Sequence, residues 1–291
     1  MPLEITIVIP AFNASQYIDE TISSVLAQTF TDWELIVVDD GSTDTTAEIV
    51  KKYLTDRRIT LIPQQNRGVS AARNTGIKAA SGKFITFLDA DDSFMEDCLQ
   101  HKYDALRSDD SVDFVYSDMW MCDKDMKKLY VIKGGKTEGL LERVLLWGKE
   151  KMPGLASNIA IRTSSIKDDV LYDECLSTSA DRDLEIRLAR YYKGFYIPLP
   201  LFKYRDTPGS MGKDMTLLEY DELHILKKIS KENIVPNGTL RRKAIATTYF
   251  IIAGSCHKIR RKPVRAIRFW IKGLVVYPPY IMKLVRSDSL K

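Results

Sequence analysis

An α/β fold is what this 291-residue sequence predicts: a mostly parallel sheet with helices on both faces, followed by a helical C-terminal extension. Three observations lead there. From Ile5 to Tyr116, short β-branched runs alternate with segments whose apolar residues fall at helical spacing. The connections are short, as where helices link parallel strands and cover the sheet. Each of the first four runs ends in polar or turn-forming residues, at the edge where such sheets bind ligands.

Ile5–Ile9 is a β-branched run, a buried strand, stopped by Pro10-Ala11-Phe12-Asn13. Ser15–Gln28 places Ile18, Ile22, Val25 and Leu26 at helical spacing, with Asp19 and Glu20 near its start. Glu34–Val38 is the second strand, closed by Asp39-Asp40-Gly41-Ser42, and Thr43–Tyr53 the second helix. Ile59–Ile62 is a third strand that ends before Asn66-Arg67-Gly68, and Ser70–Ala80 the helix after it. Lys83–Leu88 is the fourth strand, then a helix spans roughly Met95–Arg107 and a strand Phe114–Tyr116. Met119–Lys151, with mixed charge and Gly134-Gly135, predicts loops and an extension. Ser179–Tyr192 returns to helix, with Leu184, Leu188 and Tyr191 on one face. The C-terminal stretch predicts two or three helices, with Pro263 in a first turn.

Composition is that of a soluble chain, 45% hydrophobic and 28% charged, long enough for one large α/β domain with an appendage. Cys98, Cys122, Cys175 and Cys256 are far apart and form no C-x-x-C pair, so neither a zinc site nor a disulfide framework is suggested. Buried free thiols in a reducing compartment are the expectation. The N-terminus enters a strand without a basic leader, and the late apolar stretches are too short to cross a bilayer. A cytoplasmic location is expected.

Charge is divided unevenly. From Arg241 onward thirteen Lys and Arg face one acid, Asp288; this local +12 lies within a net +4, so the remainder is −8. A basic tail on an acidic body points to an anionic partner. No nucleic-acid-binding module accompanies the charge, so membrane lipid is favoured over nucleic acid. On one helical face stand Val264, Ile267, Ile271 and Leu274; on another Arg261, Arg265, Arg268 and Lys272, with Phe269 and Trp270 between. Either this helix lies on an anionic membrane, or its apolar face packs on the rest of the chain.

The stretch FITFLDADDSF, residues 84–94, packs Asp89, Asp91 and Asp92 behind an apolar run. Carboxylates that close repel one another unless they meet water or a cation. In an extended segment Asp89 and Asp91 share one side, and oxygen-only ligation suits Mg²⁺ or Mn²⁺ gripping a substrate diphosphate. A polar turn with helix-starting acids accounts for the same residues. A calcium EF-hand loop is excluded, because its sixth and twelfth positions would be Phe94 and Gln100. An aspartyl phosphatase would carry its D-x-D after the first strand, and here it follows the fourth.

The stretch IVIPAFNASQYIDETISSVLAQTFTDWELIVVDDGSTDTT, followed by NRGVSAARNTGIKAASGKFITFLDADD, resembles the catalytic domain of glycosyltransferase family 2. The resemblance covers about residues 4–118 and continues more weakly to about 212. It implies a GT-A (Rossmann-like) catalytic domain over 1–212; by charge and helical pattern, 213–291 is a basic helical extension. It further implies an inverting, metal-assisted transfer from a nucleoside-diphosphate sugar, UDP-linked, of hexosyl or N-acetylhexosaminyl type. The acceptor would be a hydroxyl of a glycan or lipid-linked molecule, at the inner face of a plasma membrane. By the same resemblance Pro10 and Phe12 line the nucleobase pocket and Asp40 accepts a hydrogen bond from the base. Asn66 and Arg73 support the nucleotide and its diphosphate. Asp89 reaches the ribose or the metal, Asp91 binds the Mn²⁺ or Mg²⁺ directly, and Asp92 caps a helix. Each residue alone has a plainer explanation: Arg73 on a solvated helix face, Phe12 in a core, Asp39–Ser42 as a turn. Their joint occurrence in family order carries the resemblance.

The family's general base sits in an E-D pair opening a helix. Ser179-Ala180-Asp181-Arg182-Asp183-Leu184 matches it, with Asp181 as the base and Ala180 in place of the Glu. Asp183 and Glu185 would serve the helix dipole equally well. Tyr204-Arg205-Asp206-Thr207-Pro208-Gly209-Ser210 resembles a segment that often carries a His near the leaving group. Thr207 stands in its place, and Arg205 is the candidate donor-binding substitute. Ala180 and Thr207 keep open an alternative, a non-catalytic nucleotide-sugar binder with a degenerate acceptor half. A sugar nucleotidyltransferase would need a Gly-rich loop after the first strand, and PAFNAS is not one.

Overall fold

The computed structural model describes residues 3–166, 171–207, 215–231, 234–235, 238–258 and 262–280. β1 (Ile5–Ala11), β2 (Trp33–Asp39), β3 (Ile59–Pro63) and β4 (Phe84–Phe87) pair in parallel in the order β3-β2-β1-β4. All seven residues of β1 are buried, because both faces of the sheet are covered. Ile5, Ile7 and Ile9 point into one core with Ile18, Ile22 and Val25 of α1 (Ile18–Leu26) and Leu99 of α4 (Cys98–Ser108). Val8 points the other way, into a core with Ile85, Phe87 and Leu184. The two-residue side-chain period of the strand thus feeds two apolar layers. α2 (Thr46–Lys51) and α3 (Val69–Ala79) complete the crossovers. α3 approaches β1 closely at Gly76, where a Cβ would lie 2.2 Å from Val8 Cγ1.

The α/β class is as the sequence predicts, and the all-parallel part of the sheet is its first half. Beyond β4 the pairing is mixed. β8 (Ala160–Arg162) runs antiparallel to β4 and to β6 (Phe114–Cys122). β9 (Gly194–Arg205) lies parallel to β6 and antiparallel to the short β5 (Ser93–Phe94). The segment after Met119, predicted as loops, is partly ordered pairing. β6 runs on to Cys122 and returns as β7 (Lys128–Ile132), followed by α5 (Leu140–Leu145). The carboxylate of Asp123 makes that turn by accepting from the backbone N–H groups of Asp125 and Lys127. Cys98, Cys122 and Cys256 are buried free thiols as expected, but Cys175 is exposed.

α6 (Leu155–Asn158), α7 (Ala180–Tyr191) and α8 (Met215–Lys231) follow in the second half. Ile225 and Ile229 of α8 and Ala244 of α9 (Gly238–Lys258) join the core that holds Leu184 and Leu188 of α7. α10 (Pro263–Val276) has Pro263 in its first turn, as predicted, and packs on α9 through a separate cluster of Ile252, Ala253, Cys256, Ala266 and Phe269. Among the described residues no helix is long and apolar enough to cross a membrane.

Candidate active site

Ala11 pairs with Asp39 and Asp39 with Pro63, so Phe12, Asp40 and Gln64 emerge together at the carboxyl edge of the sheet. Val8 pairs with Phe87, which brings Asp89 to the same edge. Hydrogen bonds staple the β1–α1 loop to the β2–α2 loop and the start of α2. Thr43 N donates to Asn13 Oδ1 at 2.8 Å, and Asn13 N to Ser42 Oγ at 3.0 Å. Ala14 N donates to Thr46 Oγ1 at 2.8 Å, and Ser15 N to Asp44 Oδ2 at 3.1 Å. The staple leaves Phe12 51% exposed above the edge rather than in a core, while Pro10 is buried within β1.

Asp40 is buried and holds the loop before α3. Its Oδ1 accepts from Gln64 Nε2 at 2.7 Å and Arg67 N at 2.9 Å, and its Oδ2 from Gly68 N at 2.8 Å. A carboxylate has about four lone-pair sites, so acceptor capacity remains on Oδ2. Gly41, at φ 76°, lets this loop close in: a Cβ there would lie 2.9 Å from Asn66 N. Asn66 itself is exposed.

Arg73 is the buried centre of the arrangement. Its guanidinium donates to Asp89 Oδ1 at 2.7 Å and to Asp181 Oδ1 at 3.1 Å, and it lies 4.9 Å over the ring of Tyr172. Burial disfavours its charge, but Asp89 and Asp181 outweigh burial and hold it protonated. Arg73 Nε is buried without a hydrogen-bond partner. The two carboxylates are more open, 30% exposed at Asp89 and 38% at Asp181. One cation thus joins the residue predicted on the donor side to the residue predicted as base.

Asp92 is not a helix cap. It is buried, accepting from Ser157 Oγ at 2.5 Å and from Arg205 N at 3.0 Å. Burial, then Asp91 and Asp89, push its carboxyl well above the usual range. The Arg205 guanidinium is anchored behind the cluster: it donates to the carbonyls of Asp91 at 2.8 Å and Lys124 at 2.6 Å and to Glu20 Oε2 at 2.6 Å. Thr207 Oγ1 reaches Asp91 Oδ2 at 3.5 Å. The segment after Thr207, residues 208–214, lies outside the described residues.

Asp181 opens α7, and the helix start is fixed from α8. Asp221 Oδ2 accepts from Ser177 N at 3.0 Å, Ser179 N at 2.9 Å and Thr178 Oγ1 at 3.1 Å, and Arg182 pairs with Glu222 at 2.7 Å. Ala180 is fully buried here. Asp183 is taken up by Arg187 at 2.6 Å and Lys228 at 2.7 Å, and Glu185 accepts from Met152 N at 2.9 Å. Of these three acids, Asp181 alone opens outward. Partial removal from water, and Asp89 beside it, hold its carboxyl above the ordinary value despite Arg73.

Among the described residues no three His, Cys, Asp or Glu side chains are placed to hold a metal by themselves. Asp89 and Asp91 present oxygen only, and burial followed by the charge of Asp89 pushes Asp91 up to about 6. That surplus of negative charge fits a Mg²⁺ or Mn²⁺ ion that shares its coordination with phosphate oxygens and waters. In the metal-free protein, folded Asp91 keeps its proton to about 6 against 3.8 for the ordinary group, so the folded state binds more protons in between. Stability from this group is present below pH 4 and lost as pH rises through about 6. Asp91→Asn removes that loss. The metal-free variant should melt on the order of a few degrees above wild type at pH 8, with no such gain at pH 4, by calorimetry.

Tyr172, Ser157, Asp221 and Glu20 are site-building residues that the sequence did not disclose. Tyr172 supports Arg73 from 99 positions away and Asp221 reaches Ser179 over 42. Nothing local marks such partners.

Residues 6–165 match the family model described as glycosyl transferase family 2. An uncharacterized glycosyltransferase, RP339, of Rickettsia prowazekii is 30% identical over 79% of this chain and 74% of its own length. GlyA of Streptococcus pneumoniae, a glycosyltransferase, is 42% identical over 34% of this chain and 14% of its own length. For four of the curated relatives the chain spans only 14% to 23% of the relative's length. Among solved structures, Staphylococcus aureus TarS 1-349 in complex with UDP-GlcNAc superposes with TM-score 0.71 at 21% identity, over 94% of this chain and 80% of that one. A mannosyltransferase of Pyrobaculum calidifontis, in complex with GDP-Man and Mn²⁺, superposes with TM-score 0.59 at 15% identity, over 94% and 88%.

Proposed function

The chain belongs to glycosyl transferase family 2, and we propose that it moves a sugar from a UDP-linked donor to a hydroxyl of a glycan or lipid-linked acceptor, with inversion. The observation that carries this reading is Arg73, which ties Asp89 at the end of β4 to Asp181 at the start of α7. This link supports a donor side and an acceptor side that meet across Arg73. The UDP-GlcNAc bound by TarS and the GDP-Man and Mn²⁺ bound by the mannosyltransferase support a nucleotide sugar and a divalent ion here.

In this reading Phe12 offers its exposed ring to the base, and the remaining lone pair of Asp40 accepts from a base N–H. Asn66 and Arg73 border the diphosphate, and the unpartnered Arg73 Nε is a donor for an anionic oxygen. Asp89 and Asp91 would hold Mn²⁺ or Mg²⁺, which when bound offsets the charge gathering on the leaving diphosphate. Arg205 keeps the Asp91 backbone in place from behind. The acceptor oxygen bonds to the anomeric carbon as the carbon–phosphate oxygen bond breaks, and Asp181 takes the acceptor's proton. The work belongs on the cytoplasmic side of a membrane, with the basic helical extension after residue 212 turned to it. Incubating the protein with a panel of UDP-sugars should release UDP only when a divalent ion is present. Donor binding with no turnover under any acceptor would instead support the non-catalytic binder.

A further inference from the structure

We propose that α10 is an interfacial helix that seats the protein on an anionic lipid surface. The helix turns its aliphatic side away from the protein. Ala266, Phe269 and Gly273 face α9, and Gly273 lets the helices close in, since a Cβ there would lie 2.8 Å from the Phe250 ring. On the opposite arc Val264, Ile267, Ile271 and Val275 are 81%, 58%, 56% and 74% exposed. Their spacing of three, four and four residues makes them one stripe. A helix that packs by its apolar face would be the other way round.

The stripe has the flanks that an interface requires. Exposed Arg268 and Lys272 border it on one side and half-exposed Trp270 on the other. Neither α9 nor α10 contains an acidic residue. Beside the stripe, a groove of about 700 Å³ is floored by Leu223 and Phe269 and rimmed by Lys262, Arg265, Arg268 and Lys272. Arg265 is paired with Glu219 of α8. This charge selects the occupant. A second copy of the chain would bring the same cations face to face, whereas an anionic bilayer brings phosphates to the cations and acyl chains to the stripe. α8 also bears Asp221, which fixes the start of α7, so the lipid-facing helix is tied to the element holding Asp181.

The proposal gives the membrane contact above a defined helix face, and it does not depend on sugar transfer. Its test is flotation of the whole protein with vesicles of phosphatidylcholine, with and without phosphatidylglycerol. Wild type should float with the anionic vesicles at low salt, come off at high salt, and stay down with phosphatidylcholine alone. A variant carrying Ile267→Asp and Ile271→Asp should bind at least about tenfold more weakly, with an unchanged melting temperature and unchanged UDP release. Absence of wild-type flotation, or equal flotation of the variant, would overturn the proposal. So would a wild-type dimer in sedimentation equilibrium that the variant dissolves, since a second copy would then cover the stripe.

Discussion

Asp181→Asn should still bind the donor and lose about 10²–10⁴-fold in turnover, the usual contribution of a positioned general base. The amide keeps the shape of the side chain and a carbonyl oxygen for Arg73, but it cannot take a proton from the acceptor. The neighbouring acids offer no substitute, because Asp183 is held by Arg187 and Lys228 and Glu185 by the Met152 backbone. The wild-type rate should also carry an acid limb. Removal from water and Asp89 raise the Asp181 carboxyl above 3.8; if Asp181 is the base, its protonated form cannot take the acceptor's proton, so the rate should fall as pH drops through that raised value. Single-turnover UDP release across pH, with donor affinity followed by thermal shift, checks both parts. An Asp181→Asn enzyme with wild-type turnover would assign the base elsewhere.

Arg73→Lys should be nearly as damaging, although charge is conserved. A guanidinium donates to Asp89 and Asp181 from separate nitrogens at 2.7 and 3.1 Å, and a single ammonium at the end of a flexible stem cannot reproduce that fork. Removing the charge with Arg73→Met leaves two carboxylates facing each other across the site. Breaking a fully buried pair costs about 3–5 kcal/mol, and the partial exposure of both acids brings the expectation to roughly 2–3 kcal/mol. Both variants should lower UDP release at least about a hundredfold, with Arg73→Met also lowering the melting temperature by several degrees. Unchanged activity in Arg73→Lys would mean that the bridge does no positioning.

The parts of the fold written in local pattern could be read from sequence. β1 to β4 announce themselves as β-branched runs closed by turn residues, and Asp89 and Asp91 follow the fourth by simple adjacency. The second half carries less local signal. β9 pairs along its length despite Pro198 and Pro200, which break the strand pattern, and its register shifts against β6 where they occur. Asp92 looked like a cap because a helix follows it; its true partners, Ser157 and Arg205, come from 65 and 113 residues away. The outward turn of Val264, Ile267 and Ile271 was equally hidden. The wheel separates two faces, but only the contacts of Ala266, Phe269 and Gly273 with α9 decide which one is covered.

The most direct test of a nucleotide-sugar site at Asp89 and Asp91 is UDP release from a UDP-sugar by wild type and by Asp91→Ala, each with Mn²⁺ and with a chelator. Wild type should turn over with Mn²⁺ and stop on chelation, while folded Asp91→Ala stays silent in both. Turnover by Asp91→Ala equal to wild type, or wild-type turnover that chelation leaves intact, would contradict it.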